Sequence, residues 1–353
     1  MRCWRQFDSI ESILSASRRR SPVQNVWQGR KCLVTGGAGF GGAHLCEQLL
    51  ARGAQVYVLD KVVHEFSYFR LQGIDRQVQM IPGDITDDSL VRLMLERFEI
   101  NTVFHLAAQP IVPISNTLPM ATLQSNAIGT FILLEAMRQS ACVERMVIAS
   151  SGAYYGATTT DCALRESDPP LTAANIYASS KVAADAVARS YAAAFGLSVA
   201  VCRFMNTYGP GDINFTRLVP RAMRNLLKGE AYHFGARDDG SSRLDFLYVG
   251  DMAEAYLRTA EAMPACRGEP FNFGSGVAIS IADVARMISM RYDGSERAPI
   301  FSGEKRDRPA IKYLNIEKAF QLLGWQPKTA LDDGLERTVK WYRDHWQELQ
   351  KVA

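Results

Sequence analysis

A glycine-rich turn between a predicted strand and a predicted helix constrains this chain more than any other feature of its sequence. The segment 31–35 (KCLVT) is typical of a buried strand, and 43–52 is typical of a helix. Between them, Gly36, Gly39 and Gly42 follow the pattern G-x-x-G-x-x-G. The first glycine permits a tight turn, the second lets the backbone approach a pyrophosphate, and the third lets the helix pack closely on the sheet. The segment therefore predicts a dinucleotide-binding turn.

A carboxylate ends the next predicted strand, at the sequence separation from the turn that is typical of ribose recognition. Strand 55–60 ends at Asp60, where the side chain can accept hydrogen bonds from the hydroxyls of the adenosine ribose. A carboxylate there would repel the 2′-phosphate of NADP, so NAD is the predicted cofactor, although the neighbouring Lys61 weakens this preference. Asp84 and Ile85, after the third strand, either hold the adenine or lead into a helix N-cap; the sequence leaves both interpretations open.

Strands and helices alternate through the first half of the chain. Further segments are predicted as strands at 78–81, 102–106 and 146–149 and as helices at 89–98 and 121–140. This alternation needs crossover connections, which give a parallel sheet covered on both faces. After about residue 205 the strands become short and Gly and Pro more frequent. We therefore expect an α/β fold, a Rossmann-type doubly wound parallel sheet with a smaller C-terminal α/β substrate lobe.

The same pattern predicts the organisation of the chain. Residues 1–28 lack the apolar core of a secretory signal, and we expect either a flexible, disordered N-terminal extension or a misplaced start codon. The cofactor domain is predicted at 29–205, with 246–274 returning to it. The substrate lobe is predicted at 206–245 and 275–353.

Composition excludes several classes of partner and site. The 353 residues include 40 basic and 37 acidic side chains, and the resulting net charge of +3 does not indicate nucleic acid or a membrane surface as partner. Seven cysteines are scattered without a C-x-x-C pair, and there are only five histidines. We therefore expect free thiols in a reducing, cytoplasmic compartment, and no metal site.

A tyrosine and a lysine four residues apart provide candidate acid/base chemistry. Tyr177 and Lys181 would share one face of a helix, and an ammonium beside the phenol is expected to lower the tyrosine pKa. Ser151 ends a predicted strand and adds a hydroxyl at the sheet edge where ligands of doubly wound folds bind. The alternative is an exposed Tyr–Lys pair without a function, because Y-x-x-x-K is common by chance.

Taken in order, these motifs resemble those of the extended short-chain dehydrogenase/reductases, which are nucleotide-sugar epimerases, dehydratases and decarboxylases. The resemblance runs from about Gly29 to the C-terminus. Further matching segments are HLAA at 105–108, Asn126, YG at 155–156, RF-x-N-x-YGPGD at 203–212, DFLYV at 245–249 and LGW-x-P at 323–327.

The resemblance implies a role for each matching residue. Ser151 would polarise the sugar hydroxyl or ketone, Tyr177 would move its proton, and Lys181 would position the cofactor and the tyrosine. The implied NAD-binding residues are Gly36, Gly39, Phe40, Gly42, Asp60, Asp84, Ile85, Leu106, Ala107, Ala108, Asn126, Tyr177 and Lys181. The residues implied for a nucleotide-diphosphate sugar are Gln109, Asn206, Asn214, Leu218, Val219, Arg243, Arg306 and Arg308.

The three arginines and Asn206 are assigned to the phosphate groups of the substrate. Arginine suits phosphate oxygens because of its forked geometry, but each of the three arginines could instead be an ordinary surface residue. Arg243 also lies one place earlier than the family's usual Arg-Asp-Phe pattern. Asn206 would contact the diphosphate.

The residues after Ser151 discriminate between reactions. Dehydratases of this family carry an Asp-Glu pair there, because eliminating water needs an additional acid and base, and decarboxylases tend to keep the Glu. This chain has Gly152 and Ala153, as the 4-epimerases have small residues. We therefore expect a 4-epimerase, which oxidises C4, lets the ketone rotate and returns the hydride to the opposite face.

Other features favour alternatives. The segments 105–110 and 211–220 look more like CDP-glucose or GDP-mannose 4,6-dehydratases. A net 4-keto reductase or dehydrogenase on the same scaffold is a further alternative, as is a non-catalytic NAD-binding module. The intact Ser151, Tyr177 and Lys181 argue against that module. Gly41 departs from the usual Ile or Leu and is expected to soften packing beneath the cofactor.

The resemblance also implies a homodimer formed through two long helices of each subunit. The candidate helices are 121–140 and 183–195. The second has an alanine-rich face, formed by Ala183, Ala184, Ala188 and Ala192, that would suit close helix contact. The alternative is that this face packs on the sheet of its own chain.

Overall fold

A computed structural model describes residues 25–170, 175–236 and 238–353. The folded part begins before the predicted boundary at residue 29, because Trp27 is buried. Its indole Nε1 donates to Glu261 Oε1 at 2.8 Å, and its ring packs on Phe104. The remainder of the predicted N-terminal extension lies outside the described residues.

Twelve strands are present in the described part of the chain. Their bounds are β1 Lys31–Thr35, β2 Gln55–Asp60, β3 Gln79–Pro82, β4 Thr102–His105, β5 Arg145–Ser151, β6 Val199–Phe204, β7 Asn206–Tyr208, β8 Arg243–Leu244, β9 Phe246–Tyr248, β10 Pro270–Phe273, β11 Ile279–Ser280 and β12 Ile311–Lys312.

Seven of these strands form one sheet in the order β10-β6-β5-β4-β1-β2-β3, and every neighbouring pair is parallel. The order reverses direction at β1, which lies between β2 and β4. This is the doubly wound arrangement that the sequence predicts, and all seven carboxyl ends share one edge of the sheet.

Helices cover both faces of this sheet. Their bounds are α1 Phe40–Ala51, α2 Tyr68–Leu71, α3 Asp88–Arg97, α4 Val112–Thr117, α5 Pro119–Leu123, α6 Gly129–Gln139, α7 Ile176–Phe195, α8 Leu218–Lys228, α9 Val249–Glu261, α10 Ile281–Asp293, α11 Glu317–Leu323, α12 Leu331–Asp344 and α13 Trp346–Leu349. Side chains of β1 alternate between the two layers: Cys32 and Val34 join the core beneath α1 and α9, and Leu33 joins the core beneath α3 and α6. Burial on both faces explains why β1 is apolar at successive positions.

Close backbone contacts account for two glycines of the turn. Gly36 has φ +71°, and a Cβ there would lie 2.7 Å from the Ala107 amide nitrogen. A Cβ at Gly42 would lie 2.2 Å from the Gly36 carbonyl oxygen. Because neither neighbour is a movable side chain, only glycine lets α1 start against the end of β1.

The predicted helix 121–140 differs in detail from the structure. Helical backbone runs from α5 through to α6, but the five residues Gln124–Ile128 form a π-helical turn between them. Such turns insert one extra residue and often mark functional sites. Here the turn carries Asn126 beneath the loop that follows β4.

The smaller sheets lie among the C-terminal elements. β8 pairs antiparallel with β11 and parallel with β12, and β7 pairs parallel with β9. A separate core joins side chains of α8, α10 and α12. Within the described ranges, no helix is long and apolar enough to cross a membrane.

Adjacent glycines of α1 offer a matched test of this packing. Gly42→Ala should lower the free energy of unfolding by about 1–3 kcal/mol, because its methyl group meets backbone. Gly41→Ala should change it by less than about 1 kcal/mol, because a Cβ there meets the flexible end of Met252, whose Cε lies 2.6 Å away. Urea unfolding of both variants measures the difference, and equal losses would contradict the proposed packing.

Candidate functional site

The mouth of the glycine turn is open to solvent at Gly39, directly before α1. The first amides of an α-helix have no acceptor within the helix, and the helix dipole places partial positive charge at the same point. An anion such as a pyrophosphate therefore fits this position. The cradle depends on the absence of side chains at Gly36 and Gly42, where a Cβ would collide with backbone.

Asp60 ties the end of β2 to the glycine turn. Its Oδ2 accepts a hydrogen bond from the Ala38 amide at 3.1 Å, and its Oδ1 accepts from the Val62 amide at 3.5 Å. Burial raises the pKa of Asp60 above its ordinary value, although these amides act in the opposite direction. The carboxylate lies beside the turn, as ribose recognition requires.

Lys61, which weakened the preference for NAD, is paired with Asp84, and its Nζ lies 2.6 Å from Asp84 Oδ2. The Thr86 amide donates to Asp84 Oδ1 at 3.0 Å. Partial burial acts to raise the pKa of Asp84, but the bonds from Lys61 and Thr86 lower it overall. The N-cap of α3 is Asp87, whose carboxylate accepts from the Leu90 amide. Asp84 therefore does not cap the helix itself, and it holds Lys61 in an ion pair.

Asn126 supports the loop after β4 from the π-helical turn. Its Oδ1 accepts from the Gln109 amide at 2.7 Å, and its Nδ2 donates to the Gln109 carbonyl at 3.1 Å and to Ser180 Oγ at 3.0 Å. These bonds join the segment that contains Leu106, Ala107 and Ala108 to α7. Asn126 is fully buried, so its side chain fixes that segment from beneath.

Ile85 is also buried, and its side chain packs into the core. A Cβ at Gly129, the first residue of α6, would lie 2.6 Å from Ile85 Cγ2. The side chain thus fills the space that Gly129 leaves open, which is a packing role in addition to the cofactor contact implied by the sequence.

The catalytic candidates meet at the ends of β5 and α7. Asn175 caps α7 by accepting from the Ala178 amide at 2.9 Å. This places Tyr177 in the first turn, close enough to Ser151 for the serine hydroxyl to act on the pKa of the phenol. Lys181 follows one turn later, and its Nζ donates to the Ala149 carbonyl of β5 at 2.8 Å. The three side chains predicted to act together are therefore adjacent in the structure.

The pKa of Tyr177 is raised in the structure, whereas the sequence predicted that Lys181 would lower it. Burial raises the pKa of Tyr177, and the effects that oppose burial are the Ser151 hydrogen bond and the nearby Arg217 guanidinium. Burial lowers the pKa of Lys181 to about 8. The Lys181 ammonium points to the Ala149 carbonyl, which explains why Lys181 is not what lowers the pKa of Tyr177.

The polar side chains implied for substrate binding are held in hydrogen bonds within the chain. Asn206 is exposed beyond β6, and its Nδ2 donates to the Asp245 carbonyl at 3.1 Å. Gln109 donates to Thr122 Oγ1 at 3.2 Å, and the side chain of Asn214 accepts from the amide and the hydroxyl of Thr216. Leu218 and Val219 begin α8 and pack in the C-terminal core, with Val219 buried.

The arginines are more dispersed. Arg243 forms an ion pair with Asp161 at 2.8 Å, in keeping with its shift by one place from the family pattern. Arg306 pairs with Asp238 at 3.4 Å, and Arg308 is exposed in the same loop. The ion pair with Asp161 thus engages the Arg243 guanidinium, which a phosphate would have to compete for.

Two residues near the catalytic group were not identified from the sequence. Arg217, which forms an ion pair with Asp212 at 3.1 Å, influences the Tyr177 phenol electrostatically. Met205 fills the space above Gly152, because a Cβ there would lie 2.1 Å from Met205 Sδ. Arg217 lies inside the dehydratase-like segment 211–220, but its position in the sequence does not indicate that it lies near Tyr177.

Comparison with known proteins places the chain among nucleotide-sugar enzymes. The model of the GDP-mannose 4,6 dehydratase family matches residues 33–338. UDP-glucose 4-epimerase of Halalkalibacterium halodurans is 31% identical, with 89% of this chain and 96% of that protein aligned.

Solved structures of both reaction types resemble the fold. UDP-glucose 4-epimerase of Thermotoga maritima, solved with UDP-glucose, has a TM-score of 0.80 at 28% identity and covers 90% of this chain and 99% of its own. The dTDP-glucose 4,6-dehydratase DesIV of Streptomyces venezuelae, solved with NAD bound, has a TM-score of 0.81 at 28% identity and covers 92% of this chain and 100% of its own.

The buried Lys181 gives a prediction about pH. Its pKa is about 8 in the folded chain against 10.5 ordinarily, so between these values the unfolded chain binds more protons and stability rises with pH. From pH 7.5 to 10, the unfolding free energy of the wild type should rise relative to Lys181→Met by about 2–3 kcal/mol. Urea unfolding at both pH values measures this change.

The control is Lys228→Met, which alters an exposed lysine at the end of α8. This variant removes one ammonium from the surface without touching the buried site, so it shows whether the pH effect belongs to Lys181. A constant difference between wild type and Lys181→Met would show that Lys181 is not buried in its charged form at pH 7.5.

Proposed function

The chain belongs to the GDP-mannose 4,6 dehydratase family of extended short-chain dehydrogenase/reductases, and we propose that it is an NAD-dependent nucleotide-sugar 4-epimerase. The observation that carries this choice is the pair Gly152 and Ala153 beside Ser151. Eliminating water needs an additional acid and base at this place, and neither residue can supply one. Met205 occupies the space into which a side chain at position 152 would extend.

The residues of the glycine turn fit NAD. Gly36–Gly42 would hold the pyrophosphate, Asp60 the adenosine ribose, and Lys181 the nicotinamide ribose. Bound NAD supplies the hydride acceptor that oxidises C4 and then returns the hydride to the opposite face of the sugar. The turn's fit rests on the two positions, Gly36 and Gly42, that exclude any Cβ.

Tyr177 and Ser151 would transfer and stabilise the proton of the sugar C4 hydroxyl. The Tyr177 phenol oxygen would accept the proton of the C4 hydroxyl, which requires that bound cofactor and substrate lower the pKa that burial raises in the structure. The Ser151 hydroxyl would hydrogen-bond the same sugar oxygen. After the ketone has rotated, Tyr177 would return the proton to that oxygen. The proton taken in the first half is given back in the second, so the group needs no net exchange with solvent.

The nucleotide sugar would lie across the edge of the sheet, between the cofactor domain proposed at 29–205 and the lobe proposed at 206–245 and 275–353. Asn206 and the loop with Arg306 and Arg308 would contact the diphosphate. Arg243 is a weaker candidate because Asp161 already engages it. The unpaired cysteines among the described residues favour a reducing, cytoplasmic setting.

A homodimer is part of this proposal, through the two helical segments that the resemblance implies but not through the alanine-rich face of the second. Three residues of the alanine-rich face, Ala184, Ala188 and Ala192, are buried within their own chain. Ile128, in the π-helical turn before α6, and Phe195, the last residue of α7, are exposed instead, at 45% and 54% of their surface. These apolar side chains would be covered by the partner.

A 4,6-dehydratase is the second candidate, because the family model and the segments 105–110 and 211–220 resemble such enzymes. A panel of UDP-, dTDP-, GDP- and CDP-sugars distinguishes the two reactions. An epimerase inverts C4 by NMR without net NADH absorbance. A 4-keto-6-deoxy product would overturn the epimerase proposal, and stoichiometric NADH would indicate a net oxidoreductase.

Tyr177→Phe tests the acid/base assignment. It should lower kcat by about 10²–10⁴-fold, because the proton of the sugar hydroxyl loses its acceptor. NAD should remain bound, since the glycine turn and Lys181 are unchanged. Rates by NMR and nicotinamide released on denaturation measure the two effects. The control is Tyr191→Phe, also on α7, which removes a hydroxyl that lies 3.4 Å from Glu135 Oε2 of α6. Near-normal activity of Tyr177→Phe would exclude this role.

A further inference from the structure

Beneath the catalytic residues lies a buried ion pair that the proposed reaction does not use. Asp185 and Arg203 have fully buried side chains, and they form a two-pronged contact. Arg203 Nε donates to Asp185 Oδ2 at 2.8 Å, and Arg203 Nη2 donates to Asp185 Oδ1 at 2.9 Å. Burying two charges is costly unless their remaining bonding capacity is also satisfied. The partners that satisfy it therefore show what the pair holds in place.

The carboxylate holds the strand that ends in the catalytic serine. Ser150 Oγ donates to Asp185 Oδ2 at 3.0 Å, and the next residue along β5 is Ser151. On α7, Asp185 follows Lys181 by four residues, so both lie on the helix face that contains Tyr177. Lys181 bonds the Ala149 carbonyl and Asp185 bonds the Ser150 hydroxyl. Two consecutive residues of β5 are thus tied to the helix that carries the tyrosine.

The guanidinium holds the segment that follows the catalytic serine. Arg203 Nη1 donates to the Tyr155 hydroxyl at 2.9 Å, and Arg203 Cζ lies 3.5 Å from the centre of the Tyr154 ring. The Tyr155 hydroxyl in turn donates to Asn272 Oδ1 at 2.6 Å. The 3₁₀-helical turn Gly152–Tyr155 that follows Ser151 is therefore fixed to the same ion pair that fixes the strand before it.

We propose that Ser150, acting through the Asp185–Arg203 pair, is a positioning residue that sets the distance between the Ser151 hydroxyl and the Tyr177 phenol. The inference rests on the proposed function in taking Ser151 and Tyr177 as the reacting groups. Ser150 touches neither the substrate nor the cofactor in this account. Small displacements of reacting groups are known to cost large factors in rate, whereas binding depends on many other contacts.

Ser150→Ala removes the tie and leaves Asp185 bonded to Arg203, so the fold should persist. The variant should lower kcat about 10-fold or more, with KM changed less than about 2-fold. Ser150→Thr keeps the hydroxyl and should restore kcat to within about 3-fold of wild type. The control is Ser190→Ala on α7, the helix that carries Asp185. The Ser190 hydroxyl is exposed and, among the described contacts, bonds only the Ala186 carbonyl. Unchanged kcat in Ser150→Ala, or no recovery in Ser150→Thr, would overturn the proposal.

Hydrogen exchange gives a readout that does not depend on turnover. The Ala153 amide donates to Ser151 Oγ at 3.0 Å, so its exchange reports how firmly Ser151 is held. In the full chain with NAD, Ser150→Ala should speed exchange at Ala153 about 10-fold and leave α10 unchanged. Unchanged exchange at Ala153, or equal acceleration in α10, would overturn the proposal. Absence of turnover by the wild type would count against the proposed function alone.

Discussion

Seven parallel strands end at one edge of a single sheet, and this constraint determines where the chemical groups of the site lie. The glycine turn follows β1, Asp60 ends β2, the segment with Leu106 follows β4, and Ser151 ends β5. Parallel strands require crossovers, and the crossover between β5 and β6 is α7, which carries Tyr177 and Lys181. The residues proposed for the cofactor and those proposed for acid/base chemistry therefore lie at the carboxyl ends of strands of one sheet and on its crossover helices. The glycine contacts at the start of α1 matter because they bring the first crossover close enough for its helix N-terminus to face that edge.

The sequence was sufficient for those parts of the site that depend on local spacing. The glycine pattern, the carboxylate after β2 and the Tyr–Lys pair each lie within one element or one strand–helix junction, so their geometry follows from backbone regularity. The doubly wound parallel arrangement was also predictable, because alternating strands and helices permit few topologies. The beginning of the fold was less predictable, since the burial of Trp27 depends on Glu261 and Phe104, which are distant in sequence.

What the sequence could not supply depends on which side chain faces which neighbour across the fold. Lys181 was expected to act on Tyr177 but bonds a carbonyl of β5, and Arg217 approaches the phenol from the start of α8. The alanine face of α7 packs inward because its small residues fit the chain's own sheet. Arg243 pairs with Asp161, a contact across 82 residues of sequence. None of these contacts has a periodicity or spacing from which it could be inferred.

The chemistry depends on what stands beside the catalytic serine. The comparisons include both epimerases and dehydratases on the same fold, so overall similarity does not choose between them. Gly152, Ala153 and the thioether of Met205 make this place small and uncharged. A 4-keto sugar formed beside Ser151 meets no carboxylate at positions 152 and 153 that could start an elimination. This local difference, and not the fold, is the basis for assigning the reaction.

The most direct measurement follows the hydrogen at C4. The enzyme would be incubated with the nucleotide sugar that it turns over, deuterated at C4, and the product would be analysed by NMR. An epimerase returns the label to C4, whereas a 4,6-dehydratase delivers it to C6. We predict deuterium at C4 of a sugar with inverted configuration and an intact C6 hydroxymethyl group. Deuterium at C6 of a 4-keto-6-deoxy sugar would contradict the account.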